Sequence, residues 1–122
     1  MSQERKKLIK ELDAAFRSSM KEQQIQKQIM DYLTAKGWYV WKNKNTNRGT
    51  GIYLPTHQKG VADLTAIKNG FVAFLEIKKV GGKISKEQRE FEYQIDSHGG
   101  YYFILKSVED AKEFDGMYGD KQ

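Results

Sequence analysis

The sequence predicts an α/β domain with a mixed central sheet flanked by helices, in the order α-α-β-β-β-α-β-α. Three observations predict it. Asn69-Gly70 lies between apolar segments, which is the strongest short-range signal for a two-residue hairpin loop. Phe71-Val72-Ala73-Phe74-Leu75 is continuously apolar and reads as a strand buried on both faces, with Tyr101-Tyr102-Phe103-Ile104-Leu105 as a second apolar strand. Segments with apolar residues at helical spacing precede, separate and follow these strands.

Residues 4–20 read as an amphipathic helix, with Leu8, Leu12, Phe16 and Met20 at four-residue spacing and Lys6, Lys7, Lys10 and Arg17 on the other face. This helix is expected to pack on the domain, with a dimer arm as the other reading. A second helix covers residues 22–36 and stops at Gly37, the usual left-handed position. Ile25, Ile29 and Leu33 form its buried stripe, and Glu22 and Gln26 fall within the same stripe. Either that first turn emerges into water, or the two polar residues serve a site.

Trp38-Tyr39-Val40-Trp41 has strand propensity. A polar connection over residues 45–59 follows, with Arg48, Gly49, Gly51 and Pro55. Connections this long are often functional, and its bases and glycines suit phosphate contact as well as a plain surface loop. The hairpin strands are expected near 62–67 and 71–79. Gly81-Gly82 turns the chain, Ser85 starts a helix to about His98, and Gly99-Gly100 closes it. Ser107 caps a last helix to about Phe114. The expected organisation is an N-terminal helical extension over 1–21, a domain over 22–116 and a frayed tail over 117–122.

A chain of 122 residues can bury one core. It holds no cysteine, which excludes disulfides and thiolate-held zinc. No apolar run approaches the roughly 20 residues that span a membrane, and no signal-peptide core follows the N-terminus. A cytoplasmic protein of bacterial or phage type is the expectation. The net charge of +5 is uneven: residues 32–86 hold ten basic and two acidic residues, whereas residues 87–122 hold four and nine. A basic middle points to a polyanion, most often nucleic acid.

The two acids of that middle segment are Asp63 and Glu76. With Asn69-Gly70 as the loop, Lys68 pairs with Phe71 and Asp63 falls opposite Glu76. Like charges so placed repel and destabilise a sheet. A bound cation reverses that sign, so the pair reads as a divalent-metal site. Lys78 is two residues beyond Glu76 and shares its face. Two carboxylates and one amine suit metal-dependent phosphodiester hydrolysis, although Glu76 and Lys78 alone would be an ordinary exposed pair. Lys78 would stabilise charge on the phosphate or position the attacking water.

Asp63 followed by Glu76-Ile77-Lys78 resembles the acid–hairpin–(D/E)-x-K pattern of the PD-(D/E)XK nucleases. The surroundings resemble one family of them, the virus-type replication-repair (VRR-NUC) nucleases. Lys59-Gly60-Val61-Ala62-Asp63-Leu64 is similar to that family's Gly-x-x-Asp-Leu segment, and Ile84-Ser85-Lys86-Glu87-Gln88 to its Ser-x-x-Gln helix start. Ser107-Val108-Glu109-Asp110 also fits, and the likeness spans about residues 22–114. Ala62 stands where the family often has Pro.

The resemblance implies a restriction-endonuclease-like fold and an endonuclease using Mg²⁺ or Mn²⁺ on branched or flapped DNA, as in repair or Holliday-junction resolution. It implies metal held by Asp63, Glu76 and the Ile77 carbonyl, with support from Glu22 or, in its place, Gln26. It adds Gln88 to Asp63, Glu76 and Lys78 as a catalytic residue. Ser85-x-x-Gln88 is equally a capping box, in which Gln88 bonds back to the helix start. DNA contacts are expected from Lys42, Lys44, Arg48, Lys59, Lys79 and Lys83, and His57 reads as a surface residue. A homodimer is the expected state, with a replication or repair protein as a further partner. The alternatives are a sequence-specific, restriction-like endonuclease and a non-catalytic nucleic-acid-binding module.

Overall fold

The computed structural model describes residues 2–43 and 59–120, the side chains of 13–21 excepted. Lys44, Arg48 and His57 lie outside the described residues, as does nearly all of the predicted 45–59 connection.

The two expected N-terminal helices run as one, α1 (Gln3–Ala35). Neither Gly nor Pro stands near residues 20–22 to interrupt the hydrogen-bond ladder, so the helix continues. Ser2 caps its start, and Lys36 with Gly37 at φ +95° ends it as expected. Ile25, Ile29 and Leu33 are buried, whereas Leu8, Ile9 and Leu12 are 48–62% exposed. The expected packing of Leu8 and Leu12 on the domain is therefore not found. The apolar spacing identified a face but not what lies against it.

The strands are β1 (Tyr39–Lys42), β2 (Leu64–Lys68), β3 (Phe71–Ile77) and β4 (Tyr101–Leu105), and the remaining helices are α2 (Lys86–Ser97) and α3 (Val108–Tyr118). The sheet has the order β1-β2-β3-β4, antiparallel across the first two pairs and parallel between β3 and β4. Asn69 at φ +52° and Gly70 at φ +82° form the two-residue turn, and Lys68 pairs with Phe71 as expected. β3 is buried on both faces only over Leu75-Glu76-Ile77, because Val72 at its start is exposed.

Alternation along the strands sends neighbouring side chains to opposite layers. Ala66, Ala73, Leu75, Ile77 and Leu105 join α1 and α3 in the main core, with Trp38 between them. Trp38 donates from Nε1 to Asp115 at 2.9 Å, which ties the entry of β1 to α3. Phe74, Tyr102 and Ile104 point the other way and meet Phe91 and Ile95 of α2. α3 runs one turn beyond the expected end at Phe114, because the Tyr118 ring stacks on Phe71 at 5.1 Å. Among the described residues no helix is long and apolar enough to cross a membrane.

Candidate active site

Asp63 occupies a bend immediately before β2 rather than a strand position. Its backbone carbonyl accepts from Asn43 N at 2.9 Å. The Asn43 side chain holds the same bend, donating to Ala62 O at 3.1 Å and accepting from Thr65 Oγ1 at 2.8 Å. Fixed in this way, Asp63 turns its carboxylate toward the end of β3, where Oδ2 accepts from Ile77 N at 2.8 Å. The carboxylate thus reaches the Glu76–Ile77 segment across the hairpin, one residue outside the paired register.

Glu76 is 2% exposed, the largest buried charged side chain among the described residues. Burial is the main force raising its pKa from the usual 4.5 to about 8, and the neighbouring Asp63 charge adds to it. Lys78 acts in the opposite direction, and Glu22 contributes the smallest increment. Lys78 Nζ lies 3.8 Å from Glu76 Oε2, and its side chain is 16% exposed. The two side chains share a face at the end of β3, as their spacing predicts.

Gln88 closes the capping box and also touches the acid. Its Oε1 accepts from Ser85 N at 2.8 Å while Ser85 Oγ accepts from Gln88 N at 3.1 Å, completing the capping box of α2. Its Nε2 remains free to donate to Glu76 Oε2 at 3.0 Å. Gly60 allows this approach. It has φ +75°, and a Cβ there would collide with the Glu87 carbonyl. The helix start therefore packs against the backbone of the Gly60 turn that leads into the Asp63 bend, which brings Gln88 to the acid.

No family model and no curated protein matches the sequence. A solved structure described as a VRR_NUC domain matches with a TM-score of 0.63, over 80% of this chain and 97% of that one, at 22% identity. The chain has the VRR_NUC fold.

Within this VRR_NUC fold the acids fit a hard cation. Among the described residues Glu76 Oε1 has no hydrogen-bond partner although it is buried, and the Asp63 carboxylate stands beside it. Carboxylate oxygens of this kind are the donors that Mg²⁺ and Mn²⁺ take. Among the described residues no group of three or more His, Asp or Glu side chains is gathered to hold an ion alone. Glu22 and Gln26 are both half-buried on α1, and of the two only the Glu22 charge is felt at Glu76.

Asn43, Thr65 and Tyr102 escaped the sequence reading. The Tyr102 hydroxyl is buried with no partner among the described residues, and burial, followed by the Glu76 charge, pushes its pKa up. Thr65, at 4% exposure in an apolar strand, was the available signal. Of the expected DNA contacts, Lys42, Lys59 and Lys83 are exposed and Lys79 is half-buried.

Proposed function

We propose that this chain is a divalent-metal-dependent DNA endonuclease, selective for branched or flapped DNA. The observation that carries the reading is the buried oxygen of Glu76, unpaired among the described residues, beside Asp63 and with Lys78 at 3.8 Å from the Glu76 carboxylate. Asp63, Glu76 and the Ile77 carbonyl would hold Mg²⁺ or Mn²⁺, with Glu22 supporting indirectly. When bound, the cation supplies counter-charge for the phosphate and makes water more acidic. Lys78 would set its ammonium against a phosphate oxygen or the attacking water. Water attacks phosphorus and releases a proton to solvent, one P–O bond breaks, and the leaving oxygen takes up a proton. Gln88 holds the Glu76 carboxylate in orientation. Lys42, Lys59, Lys79 and Lys83 contact the phosphate backbone.

The exposure of Leu8, Ile9 and Leu12 supports a homodimer joined through the first half of α1, which light scattering would test. The deciding experiment incubates the protein with flap, fork, four-way-junction and linear DNAs, each with Mg²⁺, Mn²⁺ or chelator. Cleavage of branched forms, absent in chelator and lost in Asp63→Asn and Glu76→Gln, is the expected result. Lys78→Ala should lower the single-turnover rate far more than DNA affinity. Cleavage that survives both acid substitutions would overturn the reading. Discrete fragments from linear duplex would favour a sequence-specific enzyme, and metal-independent binding without cleavage a non-catalytic module.

A further inference from the structure

Among the described residues, the face of the sheet that carries Glu76 is only half covered. Trp41, Thr65 and Phe74 are cross-strand neighbours, and Tyr39, Ile67 and Val72 form the next row. Phe74 and Glu76 lie two apart on β3, so both rows share a face with the acid. α2 covers the β3–β4 side of that face through Phe91 and Ile95. Toward the β1 edge, Tyr39 is 68%, Trp41 39% and Val72 37% exposed. The Tyr39 and Trp41 rings stand together, their centroids 5.2 Å apart and their planes at 46°. Strand spacing and rise place Trp41 roughly 12 Å from Glu76 across the sheet.

We infer that Tyr39 and Trp41 are a stacking platform for unpaired bases on a single-stranded arm of the DNA, beside the phosphate that is cut. The inference rests on the nuclease reading and specifies the feature of the substrate that is recognised. Bases in a duplex present their faces to one another, and only an unpaired base offers a face to a protein ring. Aromatic side chains set in a positively charged surface are how proteins hold single strands. The rings lie within the basic segment of the sequence, where residues 32–86 carry ten basic residues against two acidic ones, and Lys78 shares their face of the sheet with Glu76. A second protein's apolar surface would have no use for that charge.

The chain has two tryptophans, and they separate cleanly. Trp38 is 2% exposed and bonded to Asp115, so it reports only the core. Trp41 reports the platform. In chelator, to prevent cleavage, oligo(dT), flapped DNA and blunt duplex are titrated while tryptophan emission and the anisotropy of labelled DNA are followed. Oligo(dT) and flapped DNA should quench the emission in the wild type and not in Trp41→Phe. Tyr39→Ala and Trp41→Ala should each weaken binding of both by about tenfold, with little change for blunt duplex. Trp41→Phe should restore most of that affinity and Trp41→Leu should not. Melting temperatures close to the wild type will show that the variants fold.

The platform is overturned if the wild type binds these DNAs without quenching. It is overturned if both alanine variants bind as the wild type does. It is also overturned if acrylamide fails to reach Trp41 in the free protein, since another copy or part of the chain then covers the face. Any of these results leaves metal-dependent cleavage standing. A wild type that neither binds nor cuts any DNA would instead remove the nuclease reading, and the platform with it.

Discussion

Burial makes Glu76 a residue whose charge depends on pH. Its pKa rises from the usual 4.5 to about 8, chiefly through burial and secondly through Asp63. Between those values the folded protein keeps a proton that the unfolded chain has released. The associated stability is therefore complete below about 4.5 and is lost as pH rises to about 8. In chelator, the melting temperature of the wild type should fall across this window relative to Glu76→Gln, which has no proton there to lose. Added Mg²⁺ or Mn²⁺ should stabilise the wild type more at pH 9 than at pH 6, because above about 8 Glu76 is ionised and ready to bind. Parallel wild-type and Glu76→Gln curves, with and without the cation, would speak against a coupled acid at this position.

α2 joins a structural device to the site through one side chain. Ser85 and Gln88 close its capping box, and the same Gln88 amide donates to Glu76. Gln88→Glu separates the two roles, since Glu serves equally well in the box. Helicity should hold, while the buried acid loses a donor and gains a like charge. The expected cost without metal is about 1–3 kcal/mol, read from thermal melts, with a fall in the cleavage rate. Gln88→Ala keeps the bond from its backbone N–H to Ser85 Oγ but loses the reciprocal bond from Ser85 N, and should cost about 1 kcal/mol and lower the helicity of α2. If Gln88→Glu cleaves and melts as the wild type does, the Gln88–Glu76 contact has no functional weight. α1 shows the limit of an element read alone. Its apolar spacing continues from Leu8 to Leu33, yet Ile29 and Leu33 are buried while Leu8 and Leu12 are not.

Over the whole molecule the charge separates along the chain, with the basic middle segment carrying both acids and the C-terminal third net acidic. DNA affinity should therefore fall steeply with salt. Each lost phosphate contact should flatten the log–log slope by about 0.9 on duplex DNA. Lys42 and Lys83 are exposed in the basic segment, and Lys106 and Lys112 are exposed outside it. Alanine at the first pair should flatten the slope, and alanine at the second should leave it unchanged. Equal effects from both pairs would mean that the attraction is diffuse and that no DNA surface is localised.

Local chemistry was enough to determine much of this protein. Asn69-Gly70 adopts the positive φ that a two-residue turn needs, and that turn sets the β2–β3 register. Ser85 and Gly99 bound α2, and the run from Tyr101 to Leu105 is β4, because caps and apolar runs act within a few residues. The convergence of Asp63 and Glu76 followed from that register. Other features depended on contacts between segments far apart in sequence. Asp63 leaves the strand and accepts the Ile77 amide because Asn43 and Thr65 hold its bend. Gln88 meets Glu76 because Gly60 lets the α2 backbone approach. Trp41 is open while Trp38 is buried because α2 covers only the β3–β4 side of its face, whereas α1 and α3 close over the other. Periodicity identifies the face on which a side chain lies; what covers that face is decided when the layers pack.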